Sequence, residues 1–426
     1  MPAASSHQPS ALVLVIDRLP AHLLGAYGNS WIRTPALDGL AAESLLFELA
    51  TIDSPRLDAL YRGFWHGIHA TRTQGQGDQP GNDLPSQLRA RNVRTILVTD
   101  EPQVADLPQT EAFDELIRIE GETATTTADT VATTQLGRFF TAAAETIRSE
   151  AKHSGSMIWL HSQGMAGPWD APLELRNFYA AEDDPEPPTM VAPPDRVLPA
   201  DHDPDERLGI AQAAAGQVTA LDECIESLLG AVDPQLRDTA LLIVIGARGL
   251  PLGEHLRLGP CDEALYEELV HVPLLVRMPG VLAPLRTQAL AQNADIFATL
   301  LDWFGCSQPA GASTPAARFL GSSLLPCSSD SARVLRDCAL TIGGDAGEWS
   351  IRTPAWYLRH SSTPESQVPR LELYVKPDDR FEVNDVARRC GDLVEQLDAA
   401  GGAMLQAAEM GAVLAPLPTH LTETLD

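Results

Sequence analysis

The feature that most constrains the fold is a series of short apolar runs, at residues 11–16, 95–100, 157–162 and 239–246. Continuous apolar runs of this length are typical of strands that are buried on both faces of a parallel sheet. Segments with helical apolar spacing lie between them, at residues 34–47, 127–151 and 206–232. Strands that alternate with helices predict an α/β fold whose central sheet is mostly parallel and lies between helices.

The pattern changes after Arg333, where short strand-like segments follow one another and a helix-like segment comes last, at 385–400. This order predicts a small antiparallel sheet packed by one helix. The stretch 181–206 is Pro-rich and acidic, which excludes a central strand and favours an exposed insertion. We therefore expect an α/β domain over residues 1–333, with that insertion at about 181–206, and a small α+β subdomain over residues 334–426.

The charge balance restricts the partners of the chain. Its 58 acidic and 30 basic residues give a formal net charge of −28, and such a surface repels nucleic-acid phosphates and anionic lipid headgroups. We therefore expect no nucleic-acid partner and no membrane partner. The N-terminus shows no secretory pattern and the cysteines lack metal-binding or disulfide spacing, so we expect reduced thiols in a cytoplasmic protein.

Several sequence blocks carry a family resemblance. Asp17 follows the first apolar run, and LGAYG (24–28) and TPALD (34–38) come next in register; a long block at 249–280 and LELYVKPDDRFEVNDVA (371–387) follow. In this order the blocks resemble the sulfatases of the alkaline phosphatase superfamily. The resemblance implies the same two-part α/β fold and the hydrolysis of sulfate esters. Sulfatases use a formylglycine made from Cys or Ser in C/S-x-P-x-R, a divalent cation, and basic side chains that neutralise the sulfate.

On the side of the nucleophile and the metal, the resemblance implies a degenerate site. The formylglycine position reads Asp53, which cannot become formylglycine, and the arginine of that motif reads Leu57. The aspartate pair after the first strand reads Asp17-Arg18, so Asp17 is the only retained metal ligand. The metal-binding DHG motif of the family is replaced here by Ala247-Arg248-Gly249.

The sulfate-binding positions are changed as well. The lysine and the histidine that follow the second strand in the family fall on Asp100 and Pro102, and the histidine of the PHGPW motif falls on Ala166. Because a sulfate ester needs positive charge around its oxygens in the transition state, an acidic and two uncharged residues cannot replace these groups.

Two interpretations of the metal position stay open. Asp17, Asp53 and Asp58 offer hard oxygen ligands that suit calcium or magnesium. Alternatively, Asp17 pairs with Arg18 or Arg248, because a guanidinium neutralises an acidic site without a metal; this interpretation expects no metal and no other cofactor.

Three weaker patterns accompany the site. Arg56, Arg62, Arg72 and Arg248 form either an anion pocket or ordinary pairs with the many carboxylates. His66 and His69 have metal-binding spacing but no third ligand nearby, and Ser162 lacks the surrounding pattern of a nucleophilic serine.

We therefore predict a sulfatase-like protein that has lost most of its metal- and sulfate-binding site and acts by binding or assembly. The alternative is an active sulfuric-ester or phosphoric-ester hydrolase with a rearranged site, for which Asp53 is the best remaining nucleophile. Two kinds of assembly stay open: a homo-oligomer, or a complex with an active paralogue. Family resemblance by itself does not carry activity with it.

Overall fold

A computed structural model of the protein describes residues 9–72, 81–121, 124–150, 155–281, 284–306, 321–344, 347–362, 368–410 and 415–423. The strands are β1 (Ala11–Ile16), β2 (Leu45–Thr51), β3 (Arg94–Thr99), β4 (Glu115–Arg118), β5 (Ser156–Ser162), β6 (Arg196–Val197), β7 (Leu241–Gly246), β8 (Arg257–Leu258), β9 (Leu274–Arg277), β10 (Leu285–Gln292), β11 (Ala339–Ile342), β12 (Glu348–Arg352), β13 (Trp356–Ser361) and β14 (Arg370–Val375). The helices are α1 (Pro35–Ala41), α2 (Leu57–His66), α3 (Leu84–Arg89), α4 (Pro102–Ala105), α5 (Gln135–Glu150), α6 (Leu173–Asn177), α7 (Pro204–Ala231), α8 (Pro234–Thr239), α9 (Glu267–Val270), α10 (Ala294–Trp303) and α11 (Gly391–Met410).

The large sheet has the strand order β10-β2-β9-β7-β1-β5-β3-β4. β1 lies between β5 and β7 and is parallel to both, whereas β9 runs antiparallel to its neighbours β2 and β7. The prediction of a mostly parallel central sheet is therefore confirmed. Because β1, β3, β5 and β7 run in the same direction, the residues that follow them lie at one edge, where sheets of this kind usually bind ligands.

β1 explains why the first apolar run has no polar positions. Its alternate residues enter two different cores: Val13 and Val15 pack on the face covered by α2, α3 and α10, and Leu14 and Ile16 pack on the face covered by α1, α5 and α7. Helices on both faces leave no side of the strand exposed. The four apolar runs correspond to β1, β3, β5 and β7, as the sequence predicts.

The helix predicted at 34–47 is wrong in its second half. Helix α1 ends at Ala41, and the next apolar residues form β2, which pairs in parallel with β10 and in antiparallel fashion with β9. A short apolar run fits a buried strand as well as a helix, and here pairing with β9 and β10 decides between them. The helix predicted at 127–151 begins later, at Gln135, because the Thr134 hydroxyl accepts the Gly137 N–H and caps it.

The acidic stretch 181–206 is only partly the exposed insertion that we expected. It has no helix before Pro204, and its one strand is the exposed two-residue β6, which pairs with β8. Val191 and Leu198 are nevertheless buried and anchor the stretch to the domain. The described residues contain no helix that is both long enough and apolar enough to cross a membrane.

The chain ends in a separate antiparallel sheet with the order β11-β12-β13-β14, as predicted. Helix α11 packs on it, with Leu393 and Leu397 in the shared core. The helix was expected at 385–400 but begins at Gly391, because the Asp385 carboxylate instead accepts the N–H groups of Leu373 and Ala387 and ties that stretch to β14.

The first strand of this sheet docks beside the formylglycine position. The Ile342 N–H donates to the Asp53 carbonyl at 2.9 Å, and the Thr341 hydroxyl donates to the Ile52 carbonyl at 2.6 Å. The His69 ring lies in the same junction, with its Nε2 2.9 Å from the Leu340 carbonyl. The small sheet therefore covers the segment that contains Asp53.

Candidate functional site

The candidate site lies at the edge where the parallel strands end. Asp17 and Arg18 follow β1, Arg248 comes two residues after β7, and Asp100 follows β3. The Asp17 N–H donates to the last carbonyl of β5. The chain after β5 passes so close to Asp17 that position 164 must be a glycine: its φ is 54°, and a Cβ there would lie 2.4 Å from the Asp17 carbonyl oxygen. The sheet thus brings together residues that are distant in sequence.

Asp17 and Arg248 form a buried bidentate ion pair. Arg248 Nε lies 2.9 Å from Asp17 Oδ1, and Nη2 lies 3.0 Å from Oδ2. The Asp17 side chain is fully buried and that of Arg248 is 8% exposed. Burial by itself raises the pKa of Asp17, but the attraction and hydrogen bonds of Arg248, with help from Arg18, hold that pKa below its ordinary value. Of the two arginines that we considered as partners of Asp17, the structure pairs it with Arg248.

Arg18 does not pair with Asp17 through its side chain. Its Nη2 lies 2.7 Å from Asp262 Oδ1, and its Nη1 donates to the Cys261 carbonyl at 2.6 Å. Arg248 reaches the same Asp262 oxygen at 3.1 Å. Arg18 holds a φ of 55°, which costs a non-glycine residue roughly 1–2 kcal/mol and is offset here by these bonds. Two arginines and two aspartates therefore form one network without net charge.

This network does not fit a divalent cation. Both carboxylate oxygens of Asp17 already accept hydrogen bonds from Arg248, and Oδ1 also accepts the Arg18 N–H at 2.9 Å. A metal at this carboxylate would meet two guanidinium groups at the positions where its other ligands belong. Within the described ranges, no three side chains of His, Cys, Asp or Glu are grouped as metal ligands would be.

Asp53 lies close to this network but is sealed from solvent. Its exposed fraction is 0%, its Oδ2 accepts the Ala70 N–H at 2.9 Å, and its own N–H donates to the Asn293 amide oxygen. Its Oδ1 accepts no hydrogen bond of normal geometry from the described residues. Burial raises the pKa of Asp53 to about 7, against the hydrogen bonds with Ala70 and Asn293. The Arg248 guanidinium binds this segment through the carbonyl of Pro55, at 2.9 Å.

Leu57 and Asp58, the next residues of this segment, do not join Asp17. Leu57 begins α2 and packs into the core, so the arginine position of the motif holds no charge. Asp58 is half-exposed and pairs with Arg56 at 2.6 Å. The three-aspartate metal site that we considered is therefore wrong with respect to Asp58.

Of the three positions where the resemblance implies sulfate-binding groups, Asp100 is the one with an ionisable side chain. The other two hold Pro102, which starts α4, and Ala166, which lies in the turn after β5. Asp100 is 5% exposed. Its Oδ1 accepts the Gln163 N–H at 2.7 Å, and its carbonyl accepts the Gln163 amide at 2.9 Å. Burial raises the pKa of Asp100 to about 7, opposed by these hydrogen bonds and by the adjacent Gln135 side chain. An acidic group thus stands where the resemblance implies a lysine.

Most groups of the weaker patterns are bound within the fold. Arg56 pairs with Asp58 and Arg248 with Asp17, while the Arg62 guanidinium donates to the backbone carbonyl of Arg72, so two of the four arginines pair with carboxylates. Both ring nitrogens of His69 are engaged, and burial lowers the pKa of that ring to about 3. The Ser162 hydroxyl accepts the N–H of residue 164 inside the fold.

Sequence reasoning missed Asp262 and the residues around Asp100. Asp262 bridges both arginines from an irregular loop, where no periodicity marks it. Gln163 follows β5 directly, and its position after a buried strand was the one signal that could have identified it. Glu101, next to Asp100, lies within the field of Asp17 and Arg248, and burial raises its pKa.

Comparison with known proteins gives concordant results. The sulfatase family model matches residues 9–306 of the chain. Arylsulfatase K of Rattus norvegicus is 28% identical over 149 residues, which are 32% of this chain and 24% of that protein. Arylsulfatase K of Bos taurus is 28% identical over 151 residues, 32% of this chain and 25% of that protein. The chain thus matches about a quarter of the length of these curated relatives.

Solved structures are similar over nearly the whole chain. A protein solved in complex with its substrate, D-glucosamine-2-N,6-O-disulfate, has a TM-score of 0.73 at 15% identity, covering 94% of this chain and 98% of that chain. The phosphonate monoester hydrolase of Agrobacterium radiobacter has a TM-score of 0.71 at 16% identity, covering 94% and 96%. These likenesses show the fold. Since the family model spans residues 9–306 of 426, this chain belongs to the sulfatase family.

Proposed function

We propose that this protein is a sulfatase-family member without sulfatase catalysis, which acts by binding or assembly. The observation that carries the proposal is the buried Asp17–Arg248 pair at the position where the family resemblance implies a divalent cation. A guanidinium that occupies both oxygens of the retained carboxylate supplies positive charge to the fold but no open coordination position for a substrate.

The nucleophile position supports the same proposal. Asp53 is fully buried and its backbone carbonyl is bound by β11, so a substrate ester could not reach its carboxylate unless this segment rearranged. A carboxyl with a pKa near 7 is also partly protonated at neutral pH, which weakens it as a nucleophile. An active hydrolase with a rearranged site remains the competing proposal, and Asp53 is its candidate nucleophile.

The test combines metal content with ester turnover. Purified protein is dialysed against buffer that contains calcium and magnesium, and bound metal is measured by elemental analysis. The same sample is assayed with an aryl sulfate, an aryl phosphate and an aryl phosphonate monoester. We expect less than about 0.1 equivalent of either metal, because Arg248 already binds both carboxylate oxygens of Asp17. We also expect no ester turnover above that of buffer alone.

Two variants separate true activity from a contaminant. Asp17→Ala removes the retained ligand, and Asp53→Asn removes the candidate nucleophile while keeping its size. Turnover by the natural protein that either variant abolishes, with the fold intact by circular dichroism, would contradict the proposal. One tightly bound divalent ion that Asp17→Ala removes would contradict it as well.

We propose a cytoplasmic location and a division of the chain near Arg333. The formal net charge of −28 supports the absence of nucleic-acid partners. Size-exclusion chromatography with light scattering distinguishes a homo-oligomer from a monomer, and co-purification with an active sulfatase would support the hetero-complex.

A further inference from the structure

A cavity of about 530 Å³ opens at the carboxyl edge of β3, next to the Asp17 network. Asp100, Glu101 and Glu120 contribute carboxylates to its lining, and Gln135 contributes an amide. The ion pairs of Asp17 and Asp262 involve none of these four side chains. The cavity is therefore a second polar site beside the first.

Two buried oxygen atoms in this lining accept no hydrogen bond of normal geometry from the part of the chain that the structure describes. Asp100 is 5% exposed, and its Oδ2 accepts no hydrogen bond of normal geometry from the described residues. Gln135 is 4% exposed, and its Oε1 likewise accepts none from them. A buried acceptor left without a donor costs roughly 1–3 kcal/mol. Because both atoms are acceptors, a ligand that satisfies them must bring donors.

The charge of the lining gives the sign of that ligand. Among the described residues that line the cavity, Arg118 is the one that carries a fixed positive charge. Its guanidinium already pairs with Asp106 at 2.7 Å and donates to the Ala105 carbonyl. The carboxylates of Asp100, Glu101 and Glu120 are not balanced by it, so the cavity attracts a cation and repels sulfate or phosphate.

The cation that fits is organic rather than a metal ion. The described residues include no group of three metal-binding side chains at this place, so a bare divalent ion would lack ligands. Pro102, Ile119 and Pro168 form apolar parts of the wall, which can contact a carbon chain. An ammonium group on an aliphatic chain supplies the missing donors, the positive charge and the apolar surface together.

We propose that this cavity binds an aliphatic amine, whose ammonium group donates to Asp100 Oδ2 and Gln135 Oε1 while its carbon chain lies along the wall formed by Pro102 and Ile119. The inference deepens the proposed binding role, and rests on it, by giving the ligand class. The family resemblance implies that a lysine at position 100 would bind an anionic substrate. With Asp100 in its place, the cavity should prefer a cationic ligand.

The experiment measures binding of spermidine to the full chain by isothermal titration calorimetry at pH 8. We expect one site. Asp100→Asn keeps the Gln163 hydrogen bond but removes the charge, so spermidine should bind about tenfold more weakly or worse. Glu120→Gln lies at the exposed mouth and should weaken binding about two- to fourfold, as expected for a screened charge. Circular dichroism and thermal melting check that each variant is folded.

Two controls address the strong negative charge of the chain. Asp238→Asn makes the same charge change on an exposed helix residue outside this lining, and it should leave binding unchanged. The uncharged diol 1,8-octanediol should not bind measurably. Absence of spermidine binding, equal binding by the natural protein, Asp100→Asn and Asp238→Asn, or equal binding of the diol would overturn the proposal. Stoichiometric calcium binding that displaces spermidine would overturn it too.

The same samples keep this proposal distinct from the proposed function. If spermidine fails to bind and no ester turnover occurs, the ligand class is wrong and the non-catalytic function stands. If ester turnover appears and Asp17→Ala abolishes it, the proposed function is wrong whatever spermidine does.

Discussion

Asp17 and Asp100 both follow a buried parallel strand at one edge of the sheet, and they differ in what surrounds them. Asp17 has both oxygens bound by Arg248, whereas Asp100 receives one backbone N–H and has one oxygen without a donor among the described residues. The pKa of Asp17 is accordingly lowered against the effect of burial, while burial raises the pKa of Asp100 to about 7.

This contrast separates a stabilising role from a binding role. A buried charge that the fold has fully neutralised offers nothing to a ligand and contributes to stability only through its partner. A buried carboxyl that the fold has not neutralised costs stability, and such groups are typical of binding and catalytic sites. The two aspartates therefore make opposite predictions when they are changed.

The largest expected effect comes from breaking the buried ion pair between Asp17 and Arg248. Arg248→Met removes the paired guanidinium and leaves both buried oxygens of Asp17 without it, with only the more distant Arg18 charge remaining, so the free energy of unfolding should fall by about 3–5 kcal/mol. Urea denaturation at pH 7 measures this. Arg56→Met, which breaks the exposed pair with Asp58, is the matched control and should cost less than about 1 kcal/mol. Equal losses in the two variants would contradict the assigned role of Arg248.

The second prediction concerns Asp100, the buried carboxyl that no guanidinium of the described residues neutralises. Because the pKa of Asp100 is about 7 in the fold and 3.8 ordinarily, the folded chain holds this proton over a range where the unfolded chain has lost it. This group therefore makes stability fall as pH rises from about 4 to 7. Asp100→Asn should remove the penalty and stabilise the protein by up to roughly 4 kcal/mol at pH 8, with little effect at pH 4.

The measurement is denaturant unfolding of both proteins across this pH range. Asp17→Asn serves as the comparison, because a lowered pKa contributes stability that is present above pH 3.8 and lost as pH falls through the folded value. It should destabilise the protein at pH 7 and less so in strong acid. A stabilising effect of Asp17→Asn at pH 7, or a destabilising one of Asp100→Asn at pH 8, would erase the distinction between the regions.

The smallest effect is expected at Asp262, the half-exposed carboxylate beside the Asp17–Arg248 pair. Asp262 bridges Arg18 and Arg248, but its side chain is 43% exposed, so solvent screens its charge. Asp262→Asn should cost about 0.5–1 kcal/mol, and the difference from the natural protein should shrink in 1 M salt (Debye length roughly 3 Å). A loss as large as that of Arg248→Met would mean that the network, rather than the Asp17 pair, neutralises the site.

Most of the sheet could be predicted because its central strands are unambiguous. A run such as residues 11–16 is buried on both faces, so its composition alone identifies it. The second half of 34–47 could not be predicted, because Leu45 and Leu46 suit a helix face and a buried strand equally, and their partners in β9 and β10 are more than two hundred residues away. Pairing at that distance leaves no local trace in sequence.

The site divides in the same way. A pair of Asp17 with Arg18 or Arg248 followed from the charges at positions that the family resemblance aligns, and the structure was needed to choose Arg248. Asp262 and the orphaned oxygens near Asp100 depend on loop paths and side-chain directions, which no local pattern encodes. The surroundings of Asp53 could not be predicted either, because Asn293 and β11, which contact its backbone, lie more than two hundred residues away in sequence.

The docking of β11 also imposes an order on the synthesis of this protein. The hydrogen bond from Thr341 to the carbonyl of Ile52 joins residues 289 positions apart. At roughly 5–20 residues per second, a ribosome needs roughly 15–60 s to make the intervening chain. Throughout that interval the carbonyls of Ile52 and Asp53 lack the donors that β11 supplies in the folded protein, so this junction can form only after nearly the whole chain has been made.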